Sequence, residues 1–121
     1  MINFNGRTVL VTGASGGIGG ATVRHLLNAD ADVIASGRSE ETLETLAAGT
    51  GARVLAFDLA SEDSVRDALE GLDLWGVVNC GGFGGEIATP MDSDIAVFDQ
   101  VINININASG ALLVISTHPA R

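Results

Sequence analysis

The sequence predicts an α/β domain in which helices cover both faces of a parallel β-sheet. Three observations support this prediction. Short apolar segments alternate with amphipathic segments along the chain, as in repeated strand–helix units with right-handed crossovers. The apolar run at residues 8–11 leads directly into a glycine-rich turn at residues 12–19. The composition, with 16 glycines and 46% hydrophobic residues, is typical of a globular chain and not of a disordered one.

Each predicted element has local support in the sequence. The first strand is apolar enough to be buried on both faces of a parallel sheet. Val23, Leu26 and Leu27 form one apolar face of the first helix, and Ser39 and Ser61 are the expected N-caps of the next two helices. Four parallel strands in such a chain are expected in the order 3-2-1-4. The predicted strands are residues 7–11, 32–36, 53–57 and 74–79, and the predicted helices are residues 18–29, 40–48, 61–69 and a last helix that runs to about residue 117 after a loop and cap at 89–94.

The turn at residues 12–19, Thr-Gly-Ala-Ser-Gly-Gly-Ile-Gly, has the features of a phosphate-binding site. A strand that runs through a glycine turn into a helix points free N–H groups and the positive end of the helix dipole at one place. Gly13 permits the tight turn, Gly17 permits a pyrophosphate to approach the backbone, and Gly19 permits the helix to pack closely on the strand. The strand and helix on either side supply the context that such a glycine pattern requires.

The glycine spacing and three further segments resemble the short-chain dehydrogenase/reductase family. The turn has Gly13-x-x-x-Gly17-x-Gly19 in place of the common Gly-x-Gly-x-x-Gly. Asp58 and Leu59 follow the third strand, and the sequence Val-Asn-Cys-Gly-Gly at residues 78–82 resembles the family's Asn-Asn-Ala-Gly. An Asn-rich segment then separates Phe98-Asp99-x-Val101 from Gly110. The resemblance covers essentially the whole chain, and its short segments around Arg38 and Asp58 are most similar to the carbonyl and xylulose reductases.

This resemblance implies a Rossmann-like doubly wound parallel sheet, truncated after its fourth strand. Residues 1–121 would form one dinucleotide-binding domain, the N-terminal half of the family's fold. NAD-selective relatives place an aspartate at the position of Gly37, and Arg38 can instead pair with a 2′-phosphate. The cofactor implied is therefore NADP. The alternative for Arg38 is a solvated side chain near the cap of the next helix.

The resemblance also assigns residues beyond the first turn. Asp58 would hold the adenine amino group with a backbone contact from Leu59, and its alternative role is a turn or helix-capping residue. Asn79 would support the loop around the adenosine ribose, and its alternative is a plain turn residue. The residues expected to bind the cofactor are Gly13, Ser15, Gly16, Gly17, Ile18, Gly19, Arg38, Asp58, Leu59, Asn79 and Gly81.

The alternating Ile-Asn segment at residues 102–107 gives conflicting signals. Alternation by itself predicts a β-strand, whereas the resemblance implies a helix that carries the family's active-site asparagine. The family's spacing from Phe98 points to Asn105, and its spacing back from Gly110 points to Asn107. The segment therefore resembles an Ile-Asn duplication that adds two residues. We favour Asn107 as the catalytic asparagine, with Asn105 as the alternative.

The remaining catalytic residues of the family are a serine, a tyrosine and a lysine, and the chain has no tyrosine and no lysine. We expect the Ser-Tyr-Lys segment to lie outside these residues. The resemblance implies an NADP-dependent oxidoreductase that transfers hydride between NADPH and a carbonyl or alcohol substrate, and this chain alone would be catalytically incomplete. The alternatives are a non-catalytic NADP-binding module and an inert fragment.

Charge and composition restrict the partners. The net charge is −9, and all six basic residues are arginines, which argues against nucleic acid or an anionic membrane as a partner. The single Cys80 cannot form an internal disulfide, so we expect a cytoplasmic protein without a signal peptide and a small buried thiol at that position. No histidine has a second ligand at useful spacing, so no metal site is expected.

We also expect a homo-oligomer. A sheet that stops at its fourth strand leaves that strand as an open edge. The last helix, from residue 101 to 117, would in addition expose the apolar side chains of Ile104, Leu112, Leu113 and Ile115. In the family this helix tends to form a subunit interface, so a symmetric dimer is the expected assembly.

Overall fold

The computed structural model of the protein describes residues 2–82, 91–92 and 94–117, with side chains described as far as residue 112. Strands and helices alternate as predicted. The four strands are parallel and lie in the order β3-β2-β1-β4, which confirms the predicted fold class. The elements are β1 (Thr8–Thr12), α1 (Gly17–Asn28), β2 (Asp32–Gly37), α2 (Glu40–Thr50), β3 (Arg53–Ala56), α3 (Glu62–Leu69), β4 (Gly76–Asn79), α4 (Ile95–Ile102), a π turn (Asn103–Asn107) and α5 (Ala108–Thr117).

Alternate residues of the two central strands supply two separate cores. Val9 and Val11 of β1 face α1 and α2, whereas Leu10 between them faces α3 and α5. Both faces of β1 are therefore buried, as the apolar run predicts. The first core contains Val9, Val11, Ala14, Val23, Ala31, Val33, Ala35, Leu43 and Ala52. The second core contains Leu10, Ile34, Phe57, Val65, Leu69 and Leu112.

Side chains cap three of the helices. The Ser39 and Ser61 hydroxyls accept hydrogen bonds from the N–H groups of the third residue of α2 and of α3, as predicted. Asp94 accepts from the Ala96 N–H at 2.8 Å and caps α4. These caps fix where each helix begins, and therefore where the preceding loops end above the sheet.

An ion pair joins β2 to β3 at the amino end of the sheet. The Arg53 guanidinium donates to both carboxylate oxygens of Asp32, at 3.0 and 2.5 Å. Thr8 on β1 donates to the same carboxylate at 2.9 Å. The hydrogen bond from Arg53 is the main reason that the pKa of Asp32 lies below its ordinary value of 3.8.

The structure corrects the expectations about Leu112 and about the start of the fourth strand. Leu112 is not exposed but buried in the second core at 1% exposure, because α5 packs against α3. Strand β4 begins at Gly76 rather than at Leu74, because pairing with β1 starts at Val9 opposite Gly76. The predicted cap and loop at 89–94 lie partly outside the described residues, as do the side chains of Leu113 and Ile115.

The Ile-Asn repeat is helical, and the strand signal of its alternation is wrong. The backbone keeps right-handed helical angles at Ile102 and Asn103, where the π turn begins, and at Ala108, directly after it. The helix α4, the π turn and α5 therefore form one continuous helix. Ala108 and Leu112 are buried beyond the repeat, and this packing overrides the local alternation. Among the described residues, no helix is both long and apolar enough to cross a membrane.

Candidate functional site

A cavity of about 320 Å³ opens at the carboxyl ends of the strands. This is where the chain reverses its direction of winding, since β2 and β3 lie on one side of β1 and β4 on the other. Parallel α/β sheets bind ligands at such switch points. The cavity is lined by Thr12, Gly13, Ser15, Gly16, Ser36, Gly37, Arg38, Phe57, Asp58, Leu59, Ala60, Cys80, Gly81, Gly82, Gln100 and Ile104.

Two glycines of the first turn are required by its close contacts. Gly13 has a φ of +62°, and an added Cβ would lie 2.6 Å from the carbonyl carbon of Cys80. A Cβ on Gly19 would collide with the carbonyl oxygen of Gly13, so this glycine permits the helix to approach the turn. Gly17 has no neighbour within 4 Å of an added Cβ, which leaves its surface open to a ligand. The contacts at Gly13 and Gly19 agree with the structural roles predicted from the sequence, and the approach of a pyrophosphate to Gly17 stays a prediction.

The amino end of α1 differs from those of the other helices. Its N-cap is Gly16, which has no side chain to accept a hydrogen bond, and its first turn holds no acidic residue. Among the residues that the structure describes, no side chain therefore caps the first N–H groups of α1, and no acidic residue of its first turn faces the positive end of its dipole. Gly16 also lines the cavity, so this helix terminus can accept an anionic group there.

A hydrogen-bond network joins β1, β4 and α5 beneath the cavity. The Thr12 hydroxyl donates to Asn79 Oδ1 at 2.5 Å, and the Gly81 N–H lies within hydrogen-bond distance of both side chains. Asn79 Nδ2 donates to the Ser109 hydroxyl at 2.7 Å. Asn79 thus holds the end of β4 and the glycine stretch after it, and it does not line the cavity itself.

Arg38 and Asp58 lie on the side of the cavity formed by β2 and β3. Arg38 is exposed and has no ion pair or hydrogen bond within the described part of the chain. Asp58 Oδ1 accepts from the Ala60 N–H at 2.9 Å, and the Asp58 N–H donates to the Ser64 hydroxyl at 3.0 Å. Asp58 therefore makes the contacts of a turn residue, its alternative role, and it also lines the cavity.

The cavity brings together seven of the residues predicted to bind the cofactor: Gly13, Ser15, Gly16, Arg38, Asp58, Leu59 and Gly81. Gly17 and Ile18 instead line a second, larger groove beside α1, of about 760 Å³, together with Ile2, Phe4, Ala21, Thr22, His25, Leu26 and Ala29. That groove is mostly apolar and lies away from the strand ends. We therefore place the site in the smaller cavity, where the glycine turn and Arg38 meet.

Neither predicted catalytic asparagine lines the cavity. An added Cβ on Gly82 would lie 2.7 Å from Asn105 Oδ1, which places the Asn105 side chain beside the cavity's glycine stretch. Asn105 Nδ2 also donates to the Val101 carbonyl of its own helix at 2.9 Å. Asn107 is exposed.

Several lining residues were missing from the sequence prediction. Gln100 and Ile104 come from the helix after β4, and no local pattern marked that helix as a wall of the cavity. Cys80 was expected to be a buried thiol. It is instead partly exposed and lines the cavity, because it lies at the open end of β4 beside Gly13. Its position directly after a strand was the signal that could have identified it.

Comparisons with known proteins identify the family of this chain. The model of the short chain dehydrogenase family matches residues 7–116. The chain belongs to this family. Nodulation protein G of Rhizobium sp. (strain N33) is 39% identical over 98% of the chain and 51% of that protein. The 3-oxoacyl-(acyl-carrier-protein) reductase FabG of Rickettsia conorii is 38% identical over 90% of the chain and 46% of that protein.

Solved structures of family members have the same fold. A short-chain type dehydrogenase/reductase from Mycobacterium ulcerans superposes with a TM-score of 0.90 at 25% identity, over 98% of this chain and 48% of that one. A short chain dehydrogenase from Shigella flexneri 2a, solved in complex with NADP, gives a TM-score of 0.81 at 28% identity, over 93% and 52% of the two chains. The chain thus spans about half the length of the relatives it matches.

Proposed function

We propose that this chain is the cofactor-binding part of an NADP-dependent oxidoreductase that acts on a carbonyl or alcohol substrate. The observation that carries the proposal is the cavity at the strand ends. There, within the described residues, the start of α1 has no side-chain cap and Arg38 has no ion pair. A dinucleotide with a 2′-phosphate offers anionic groups suited to both. Family membership makes a nicotinamide dinucleotide the expected ligand.

The pyrophosphate would be held by the glycine turn. The N–H groups at the start of α1 would donate to its oxygens, with Ser15 and Gly16 at the cavity wall and Gly17 open beside them. A Cβ at Gly13 would collide with the chain at Cys80 and Gly81, so the turn keeps its shape only with glycine there. The residues present therefore fit the phosphate portion of the cofactor.

Arg38 is proposed to select NADP over NAD. It follows Gly37 at the end of β2, so no acidic side chain occupies the position that would accept from ribose hydroxyls. A guanidinium can form two charge-assisted hydrogen bonds with a phosphate. The NADP bound to the similar Shigella flexneri protein supports this assignment.

The adenine would lie against the loop after β3. Asp58 and Leu59 line the cavity there, and one oxygen of Asp58 already fixes the loop through the Ala60 N–H. The other oxygen is proposed to accept from the adenine amino group. Asn79 would support the opposite wall through its contacts with Thr12 and Gly81.

Catalysis is proposed to need residues that this chain does not contain. When bound, the nicotinamide ring would supply or accept the hydride. Asn107, or Asn105 beside Gly82, would contribute the family's asparagine, but no tyrosine or lysine is present to handle the proton at the substrate oxygen. We therefore expect the purified 121-residue chain to bind NADPH and to reduce no ketone above background. Ketone reduction that depends on Arg38 would contradict this expectation.

We also propose a cytoplasmic protein that assembles as a homo-oligomer and has a small-molecule substrate. In the described part of the chain β4 pairs on one side only, and Ile95, Phe98 and Ile106 of the last helix are exposed. Such an edge and apolar face favour association. Sedimentation of a folded monomer at tens of micromolar would contradict the proposed assembly.

The proposed function is tested by titrating the protein with NADPH and with NADH and following cofactor fluorescence. We expect tighter binding of NADPH, and Arg38→Ala should remove about tenfold or more of that preference. Arg66→Ala is the matched control, because Arg66 pairs with Glu62 on α3 and does not line the cavity. Equal affinities for both cofactors in the unmutated protein would refute the NADP assignment.

A further inference from the structure

The π turn lies beside the proposed cofactor site, and its first residue, Asn103, has no role in the function described so far. It consists of the repeated Ile-Asn residues Asn103–Asn107, the segment whose sequence resembles an insertion. A π turn adds a residue to a helix without ending it, and such turns occur mostly at functional sites. Here Gln100, before the π turn, and Ile104, within it, line the cavity. Ala108, directly after the turn, is buried.

Asn103, the first residue of the π turn, contacts the loop between β3 and α3. Its Nδ2 donates to the carbonyl oxygen of Ala60 at 3.3 Å. Ala60 itself lines the cavity, and its neighbour in sequence, Leu59, lies against Gly81. The side chain of Asn103 therefore spans from the last helix to the wall of the cavity that is assigned to the adenine.

Within the described residues, the other hydrogen bonds of this loop come from its own side. The Asp58 carboxylate accepts from the Ala60 N–H, the Ser64 hydroxyl accepts from the Asp58 N–H, and the Ser61 N–H donates to the Asp58 carbonyl at 3.1 Å. All of these partners belong to the loop or to α3. Among the hydrogen bonds described here, the one from Asn103 is the bond that fixes this loop relative to the helix on the other side of the cavity.

We propose that Asn103 is a positioning residue for the cofactor: it holds the loop of residues 58–61 against the π turn and so sets the width of the cavity at its adenine end. This inference rests on the proposed dinucleotide site. It also gives the Ile-Asn repeat a function. Of two successive residues of the repeat, Asn103 contacts Ala60 and Ile104 lines the cavity. Asn103 does not touch the reacting atoms in this account.

The test compares Asn103→Ala and Asn103→Asp with the unmutated protein. Both variants remove the donor, and the aspartate keeps the size of the side chain. Asp99→Ala is the matched control, because Asp99 is an exposed polar residue of the same helix that lines no part of the cavity. Affinity is measured for NADPH, NADH, adenosine monophosphate and nicotinamide mononucleotide, and hydrogen exchange is measured over residues 58–61 without ligand.

We expect both variants to bind NADPH and adenosine monophosphate about three- to tenfold more weakly, the range expected for one lost hydrogen bond. The ratio of NADPH to NADH affinity should stay constant, because Arg38 is unchanged, and nicotinamide mononucleotide affinity should not move. Exchange of the loop amides should be faster in both variants and unchanged in Asp99→Ala. A purely structural role would change the free energy of unfolding without this selective loss of adenine binding.

The outcomes separate this inference from the proposed function. If the unmutated protein binds dinucleotides, and either variant is folded with unchanged affinity for NADPH and adenosine monophosphate, the role of Asn103 is refuted and the cofactor site stands. If the unmutated protein binds no dinucleotide and no adenosine monophosphate, the proposed function is refuted and the role of Asn103 with it. Should Asn103→Ala fail to fold, Asn103→Asp decides the question.

Discussion

Replacing Gly13 by alanine should destabilise the protein severely, because the first turn has no room for a side chain. The backbone at Gly13 has a φ of +62°, which costs about 1 to 2 kcal/mol for a residue with a Cβ. The added methyl group would also lie 2.6 Å from the carbonyl carbon and oxygen of Cys80 and 2.7 Å from the Gly81 nitrogen. All three neighbours are backbone atoms, which cannot rotate away as a side chain can.

The expected magnitude follows from these two terms. Forcing an extra carbon into a packed site costs about 1 to 3 kcal/mol. Together with the backbone strain, Gly13→Ala should lower the free energy of unfolding by about 2 to 5 kcal/mol. A domain has a total stability of about 5 to 15 kcal/mol, so this loss would be a large fraction of the free energy of unfolding.

Substitutions at Gly6 and Gly17 serve as controls for Gly13→Ala. They separate the effect of backbone strain from that of steric collision and from that of contact with a ligand. Gly6 has a φ of +76° and no atom within 4 Å of an added Cβ, so Gly6→Ala should show the strain term alone, about 1 to 2 kcal/mol. Gly17 lies at the start of α1 with open space around it. Gly17→Ala should therefore change stability by less than about 1 kcal/mol and still weaken NADPH binding, since its Cβ would occupy the approach of the pyrophosphate.

The assay is urea unfolding followed by circular dichroism, with NADPH titration of the folded variants. The order of destabilisation expected is Gly13→Ala, then Gly6→Ala, then Gly17→Ala. A Gly13→Ala variant as stable as Gly6→Ala would show that the turn relaxes away from Cys80, and the steric argument would be refuted. If Gly17→Ala bound NADPH with unchanged affinity, the proposed binding of the pyrophosphate at this turn would be contradicted.

Two further predictions concern stability. Because Arg53 lowers the pKa of Asp32 below 3.8, the ion pair stabilises the fold above that pH and its contribution disappears as the pH falls through the lowered value. In urea unfolding, the difference in free energy of unfolding between the unmutated protein and Asp32→Asn should shrink below about pH 4. A difference that stays constant with pH would contradict this role of the ion pair between Asp32 and Arg53. Leu112→Ala should lower the free energy of unfolding by about 2 to 5 kcal/mol, because it truncates a buried side chain. Ile106→Ala should lower it by less than about 0.5 kcal/mol, because Ile106 is 60% exposed. Equal effects of the two substitutions would contradict the packing of α5 against α3.

The sequence was sufficient to predict the sheet and the first turn because their signals are local. The apolar β1 and the glycines after it act through backbone conformation within a few residues, and Ser39 and Ser61 cap the helices that directly follow them. Strand order followed from the connection rules for parallel strands. These elements agree with the structure apart from shifts of one or two residues at their ends.

The parts that the sequence did not predict depend on contacts between distant segments. The repeat at residues 102–107 alternates as a strand does, and only the packing of the helix on both sides shows that it forms a π turn. The burial of Leu112 depends on where α3 lies, and the exposure of Cys80 depends on the cavity between β1 and β4. Gln100 and Ile104 belong to the site because their helix crosses it, which no local pattern reveals.

Amide chemical-shift mapping during an NADPH titration would show whether a dinucleotide binds at the carboxyl ends of the strands. We expect the largest shifts at Gly13, Ser15, Gly16, Arg38 and the loop of residues 58–60, and we expect them to saturate together. Shifts confined to the larger groove beside α1, around Phe4 and His25, would contradict this expectation, as would the absence of any saturating shift.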